Sequence, residues 1–336
     1  MAPEPSDIGR IFTSFTAYQQ TGALKAAIDL DLFTAIGEGA ATTAALAARR
    51  GLPERGVRSL CDFLTATGFL AKEGDRYALT PSTGPFLDRR SPMYVGSVLT
   101  FIASPMLFQA FSDVTGAVRK GGTAIAGEGS TAPEHPMWVD FARGMAPLAA
   151  VTAEMLAGVV APDGAPLKVL DVAAGHGLYG ITLARHHPGT EVVALDWANV
   201  LAVATENARA AGVADRFRTI AGSAFDVPWG DGYDVVLLTN FLHHFDVPTC
   251  ERLLRKAHAA LAPGGRAIAL EFVPNADRVS PPEAATFSLV MLVTTPHGDA
   301  YTYAEYERML RNTGFARSTL HDLPMPNQRV VVAWRD

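Results

Sequence analysis

The sequence predicts an α/β domain built on a mostly parallel sheet, preceded by a mainly helical N-terminal region. Three observations carry this. The apolar, β-branched run Lys168 to Val172 leads into the turn Ala173-Ala174-Gly175-His176-Gly177, with a helical stretch, Ile181 to Arg185, beyond it. Strand-like and helix-like segments then alternate as far as Phe272, which builds a parallel sheet with helices on both faces. Before residue 168 the periodicity is almost wholly helical, apart from one short hairpin.

Bulk properties narrow the class. A chain of 336 residues with 49% hydrophobic and 18% charged residues is long enough for two domains and ordinary for a globular enzyme. The net charge of −6 gives no basic footprint for nucleic acid or an anionic membrane. No apolar run reaches the roughly twenty residues that span a bilayer. The start, Met1 to Asp7, has no positive region leading into an apolar core, so no secretory signal is expected. Cys61 and Cys250 lie far apart and are read as two buried reduced thiols of a cytoplasmic protein.

Taken in order, residues 8–36 carry apolar positions at helical spacing and read as two helices broken near Thr21-Gly22. Thr42-Thr43 caps a helix through Arg49, and Glu54 to Gly68 is a second amphipathic helix. Phe69-Leu70-Ala71 and Tyr77-Ala78-Leu79 flank Glu73-Gly74-Asp75 as a hairpin. Two helices and a hairpin resemble a winged helix, which raises a DNA-binding reading. The second helix is mixed in sign (Glu54, Arg55, Arg58, Asp62), which favours packing or dimerisation instead. Residues 84–160 read as helices with Pro and Gly breaks; Phe101, Met106, Phe108, Trp138, Phe141 and Met145 are candidates for an apolar pocket or for plain core.

In the second half, Glu191 to Leu195 is a strand ending at Asp196, Val200 to Ala211 a helix, and Phe217 to Ile220 a strand entering Gly222-Ser223-Ala224-Phe225. Tyr233 to Leu238 is a strand, Thr249 to Leu261 a helix stopped by Pro263-Gly264-Gly265, and Ala267 to Phe272 a strand. Residues 286–293 and Tyr303 to Asn312 are helices, and Ser318 to Leu320 with Arg329 to Trp334 form an antiparallel pair. Three regions follow: 1–90, 91–160 and 161–336. Ligands of such sheets sit at the carboxyl ends of the strands.

Gly175, Gly177 and Gly180 spell G-x-G-x-x-G, which suits a dinucleotide as well as other nucleosides. Two carboxylates shift the balance. Asp171, at the end of its strand, repels a pyrophosphate but holds a cation, directly or through water. Asp196, closing the next strand, accepts from both ribose hydroxyls, and Trp197 is placed to lie on an adenine. A ligand with ribose, adenine and a positive centre but no phosphate fits: S-adenosyl-L-methionine.

The stretches Val169–Gly177, Ala194-Leu195-Asp196, Gly222–Phe225, Asn240-Phe241-Leu242-His243-His244-Phe245 and Leu261–Gly265 resemble the motif series of class I S-adenosylmethionine-dependent methyltransferases. More closely, the chain resembles the two-domain small-molecule O-methyltransferases of plants and of bacterial antibiotic pathways, over nearly its whole length. The resemblance implies a Rossmann-like catalytic domain behind a winged-helix dimerisation domain, a homodimer, and a small hydrophobic or aromatic acceptor. It implies Asp171, Gly175, Gly177, Asp196, Trp197, Ser223, Ala224, Phe225 and Asn240 as cofactor contacts. For the acceptor pocket it implies Phe141, Met145, His244, Phe287, Met291 and His297. The chain departs from the pattern at Ala173, where glycine is common, and at Ser223, where an acid is usual. The acidic residue that orients the base in the family falls near Ala300, which leaves Asp299 as a candidate.

Methyl transfer needs alignment, with effective molarities on the order of 10⁵–10⁸ M, and a general base adds roughly 10²–10⁴. The resemblance puts that base at His243, and Asp246 with Pro248 is free to cap the following helix. A second reading gathers His243, His244 and His297 around a transition metal, for which the resemblance to some bacterial members of the family implies C-methylation of an α-keto acid. A third, of another class, is a winged-helix ligand-sensing regulator.

Overall fold

The computed structural model describes residues 5–127, 129–132, 134–161, 164–324 and 328–336. The chain divides into two compact units, Met1–Ser104 and Pro105–Asp336, so residues 91–160 are shared between them.

The first unit is helical apart from a hairpin. One helix runs Pro5–Asp29, and the expected break at Thr21-Gly22 does not occur. A lone glycine costs a helix only about 1 kcal/mol, too little to interrupt one whose flanks are good helix formers. The chain turns instead at Asp31, which adopts a left-handed backbone (φ 53°) before the helix Leu32–Gly37. Helix Thr43–Arg50 starts at Thr42, whose side chain accepts from Ala45 N, and ends at Gly51 in the left-handed region. Helix Glu54–Ala66 follows, then strands β1 (Leu70–Glu73) and β2 (Arg76–Leu79), paired antiparallel. Leu32, Phe33, Leu46, Leu64 and Tyr77 fill the core between them. On the long first helix, Ile8, Phe12, Phe15 and Tyr18 project into solvent.

The second unit carries a seven-stranded sheet. In chain order its strands are β3 (Lys168–Val172), β4 (Glu191–Asp196), β5 (Phe217–Ala221), β6 (Tyr233–Thr239), β7 (Leu261–Glu271), β8 (Arg317–Asp322) and β9 (Arg329–Trp334). In space they lie β5-β4-β3-β6-β7-β9-β8. The first five are parallel, and β9 and β8 close the sheet antiparallel. Side chains alternate between two cores. Leu170, Val236 and Leu238 face one, with helices Val247–Ala260 and Tyr303–Asn312. Val169, Val235 and Leu237 face the other, with helices Ala146–Val160 and Leu178–His186. Burial on both faces explains why these strands read as continuous apolar runs. Among the described residues no single helix is long and apolar enough to cross a membrane.

Strand order reverses between β3 and β6. The crevice outside the carboxyl ends at such a reversal is where α/β sheets bind ligands.

Candidate active site

A cavity of about 740 Å³ opens at that reversal, within the range of small-molecule sites. Ala173 and Gly175 after β3, Asp196 and Trp197 after β4, Ser223, Ala224 and Phe225 after β5, and Asn240 after β6 line it. The far wall comes from Ser130, Trp138, Phe141, His244, Phe245 and His297. Of the sequence-predicted residues, Asp171, Gly177, His243, Met145, Phe287 and Met291 are outside this lining.

The glycine turn follows from close packing. Ala173, Gly175 and Gly177 all have positive φ (53°, 57° and 72°). A Cβ on Gly177 would press on Ala204, Ile181 and Phe217, and one on Gly180 would lie 2.7 Å from Val192 Cγ1. These two glycines therefore seat the helix Leu178–His186 on the sheet, while Gly175 brings backbone to the cavity.

The two strand-tip carboxylates have different places. Asp196 is at the wall: its Oδ2 accepts from Gly175 N at 2.8 Å and its Oδ1 from Trp197 N at 2.7 Å. Each oxygen keeps a lone pair for a ligand hydroxyl. Burial pushes its pKa up to about 6, against the opposing pull of those two N–H groups. Asp171, expected at the ligand, is instead fully buried behind the turn. Its Oδ2 accepts from Gly180 N at 3.2 Å, and Oδ1 has no hydrogen-bond partner among the described residues. Burial pushes it up to about 7. It lies beneath the wall because Gly180, lacking a side chain, lets the helix N-terminus come down onto it.

His243 is set one layer behind the wall, on a turn of 3₁₀ helix, Leu242–His244, and is 3% exposed. Its Nδ1 lies 2.5 Å from Glu271 Oε2. Glu271 ends β7 and is fully buried; its other oxygen accepts from Phe241 N at 2.9 Å and Leu242 N at 2.8 Å. The carboxylate is thus gripped by the turn that carries the histidine. Sequence reasoning missed Glu271. The available signal was one carboxylate closing the apolar run Ala267-Ile268-Ala269-Leu270, at the same end of the sheet as Asp171 and Asp196. Asp299, the alternative, turns its side chain to Arg278 at 3.2 Å. It reaches the site only through its backbone, Asp299 N donating to His243 O at 2.9 Å. Asp246 caps the next helix, accepting from Thr249 N at 2.9 Å.

Around His243 lie His244, with ring centroids 4.3 Å apart, and Phe287 at 4.8 Å, itself stacked on Phe272 at 3.7 Å. His244 meets Trp138 edge-on at 5.3 Å, and burial with His243 beside it holds its pKa well below the ordinary imidazole value. Nδ1 of His243 is paired with Glu271, and no group of three or more His, Cys, Asp or Glu side chains among the described residues is disposed to hold a metal ion.

The O-methyltransferase domain profile matches residues 122–316, and the O-methyltransferase dimerisation domain profile matches residues 13–89. The chain belongs to the O-methyltransferase family. It is a methyltransferase, and S-adenosylmethionine is the family's methyl donor. The methyltransferase is 32% identical to 3-hydroxy-5-methyl-1-naphthoate 3-O-methyltransferase of Streptomyces sahachiroi, over 95% of this chain and 92% of that one. It is 30% identical to the tetracenomycin polyketide synthesis 8-O-methyl transferase of Streptomyces glaucescens, over 91% of each. A solved structure from Nostoc punctiforme, described as a candidate O-methyltransferase, superposes with a TM-score of 0.93 at 53% identity, over 99% of this chain and 100% of that one. The matched profiles overturn the regulator reading: this is an enzyme whose helical first unit carries a dimerisation domain.

Proposed function

We propose that the enzyme methylates a hydroxyl group of a small aromatic natural product, with His243 as general base. The single observation that carries this is the buried His243–Glu271 contact at the carboxyl end of the sheet, beside a cavity walled by Trp138, Phe141 and Phe245. The names of the two Streptomyces relatives point the same way, toward hydroxylated naphthoate or polyketide rings.

The strand-tip half of the cavity holds the cofactor. Asp196 accepts from the ribose hydroxyls, Trp197, Ala224 and Phe225 flank the adenine, and Ser223 offers a neutral hydroxyl where the family has an acid. Gly175 gives its backbone, and Asn240, held by Gln328, closes the side toward the base. Asp171 and Gly177 act from behind, by holding the glycine turn in place. This wall suits a sulfonium nucleoside because a buried acid, Asp171, stands behind the glycine turn, and burial pushes the pKa of the turn's own imidazole, His176, down to about 4, which leaves no positive charge there for a diphosphate. S-adenosylmethionine, when bound, supplies a methyl group on a positively charged sulfur.

The acceptor occupies the aromatic half, against Trp138, Phe141, His244 and His297, with Phe287 and Met291 behind. Met145, the C-cap of the helix that carries Phe141, is outside that lining. Glu271 takes the hydrogen bond from His243 Nδ1–H, so the lone pair of Nε2 is left for the acceptor O–H. His243 then takes that proton as the oxygen is methylated, and the aromatic walls hold the ring in line.

The enzyme works as a homodimer, with the solvent-facing row Ile8, Phe12, Phe15 and Tyr18 covered by the partner. The experiment that tests the proposed reaction offers the purified enzyme S-adenosylmethionine with matched hydroxy-, amino- and carbon-nucleophile arenes, and locates the added methyl by mass spectrometry and NMR. A methyl on oxygen is expected; transfer confined to nitrogen or carbon contradicts the proposal.

A further inference from the structure

The loop after β5 contributes Ser223, Ala224, Phe225 and Asp226 to the cavity wall, and within it Phe225 N donates to Ser223 Oγ at 3.2 Å. Asp226 N and Val227 N both bond back to Ser223 O, at 3.0 Å each, which makes a single helical turn that does not continue. Such a turn leaves its last carbonyls without intrahelical partners. Here they converge on one side chain. Lys256, on helix Val247–Ala260, donates to Ala224 O at 2.6 Å, Phe225 O at 3.0 Å and Val227 O at 3.0 Å. Its three N–H donors match three carbonyls, and the ammonium lies 5.1 Å from the centroid of the buried Trp229 ring. Trp229 Nε1 donates to the same Ala224 O at 2.9 Å. One helical turn before Lys256, Arg252, itself in the cavity lining, lies over the Phe225 ring at 4.5 Å. One face of this helix therefore clamps both backbone and ring of the loop, and Lys256 does so from outside the cavity lining.

We propose that Lys256 is a positioning residue for the cofactor: by gathering the carbonyls of Ala224, Phe225 and Val227 it fixes the loop that faces the adenine. This rests on the reading above that the loop flanks the nucleoside. A lysine suits the task because three donors radiate from one point, whereas a guanidinium spreads its donors in a plane.

The test is calorimetric binding of S-adenosylhomocysteine to the full-length wild type, Lys256→Met and Lys256→Arg, together with thermal unfolding of each apo protein. Lys256→Met is expected to weaken binding about tenfold, the scale of one charge-assisted hydrogen bond, and Lys256→Arg about threefold. In steady state the Met variant should raise KM for S-adenosylmethionine while kcat stays within about twofold of wild type. A merely structural lysine would lower the unfolding temperature and leave the dissociation constant where it was. Binding by Lys256→Met within twofold of wild type overturns the inference and leaves the cofactor reading intact. Failure of the wild type to bind at all overturns both. Should the Met variant not fold, the Arg variant decides, with wild-type affinity as the contradicting result.

Discussion

Glu271 has a partner for both oxygens: two backbone N–H groups on one, the His243 ring on the other. Glu271→Gln keeps size and shape but turns an NH₂ toward Nδ1, which forces the opposite tautomer and points an N–H at the acceptor. Turnover should fall by about 10²–10⁴, with affinity for S-adenosylhomocysteine unchanged within about threefold; unchanged turnover would remove the orienting role. Asp196 predicts a pH dependence. Burial raises its pKa to about 6 in the free protein. Ribose hydroxyls and a nearby cation favour the ionised form, so binding lowers that pKa and expels a proton. Affinity should therefore climb as pH rises through about 6 and level off above about 7. Titrations in buffers of different ionisation enthalpy read the proton, and uptake instead of release contradicts the assignment. Ala173 holds φ 53° with a side chain, where the family often has glycine. Ala173→Gly removes a left-handed strain of about 1 kcal/mol and should raise the unfolding temperature by about 1–2 degrees; a lower one would show that the Cβ packing outweighs the strain.

At the scale of elements, the segment that packs on the His243 turn is stitched to its neighbour. Thr123 N donates to Thr295 O, Thr123 Oγ1 to Val293 O and Ser130 Oγ to Thr294 O, at 2.9, 2.7 and 3.1 Å. Gly298 lies so close to His243 O that a Cβ would collide with it. Gly298→Ala is thus expected to cut kcat by about tenfold or more, since a displacement near 1 Å at the proposed base costs on the order of 10²-fold. Gly158 is the control: it sits exposed in helix Ala146–Val160 with nothing near its missing Cβ. Gly158→Ala should stabilise by about 0.5–1 kcal/mol without touching activity. Sequence periodicity located every strand of the large sheet and the helix Tyr303–Asn312, because elements buried on a face carry that face in their spacing. It misread the first helix, where one glycine was given more weight than its helical flanks support. It found the site's ends of strands but not its partners. Glu271 was passed over because a carboxylate in an apolar strand carries no periodic signal, and Asp171 was put at the ligand because the spacing of a strand tip does not tell which side of the turn a side chain faces.

At the scale of the whole molecule, two compact units divide the labour: a helical one with the dimerisation domain, and a sheet with the cavity at its strand reversal. The first helix leaves Phe12 60% and Phe15 67% exposed, more apolar surface than an isolated helix keeps in water without cost. Replacing both by Asp should convert the dimer to a monomer in light scattering, and an unchanged mass would place the interface elsewhere. In the proposed reaction the chemistry converges on one imidazole, held by Glu271 and set beside the cavity's aromatic wall. Methyl transfer by His243→Ala under saturating S-adenosylmethionine, with an accepted hydroxyarene and parallel titration of S-adenosylhomocysteine, tests that most directly. The account predicts turnover lower by about 10² or more with cofactor affinity within about threefold of wild type; a variant that still turns over at the wild-type rate would contradict it.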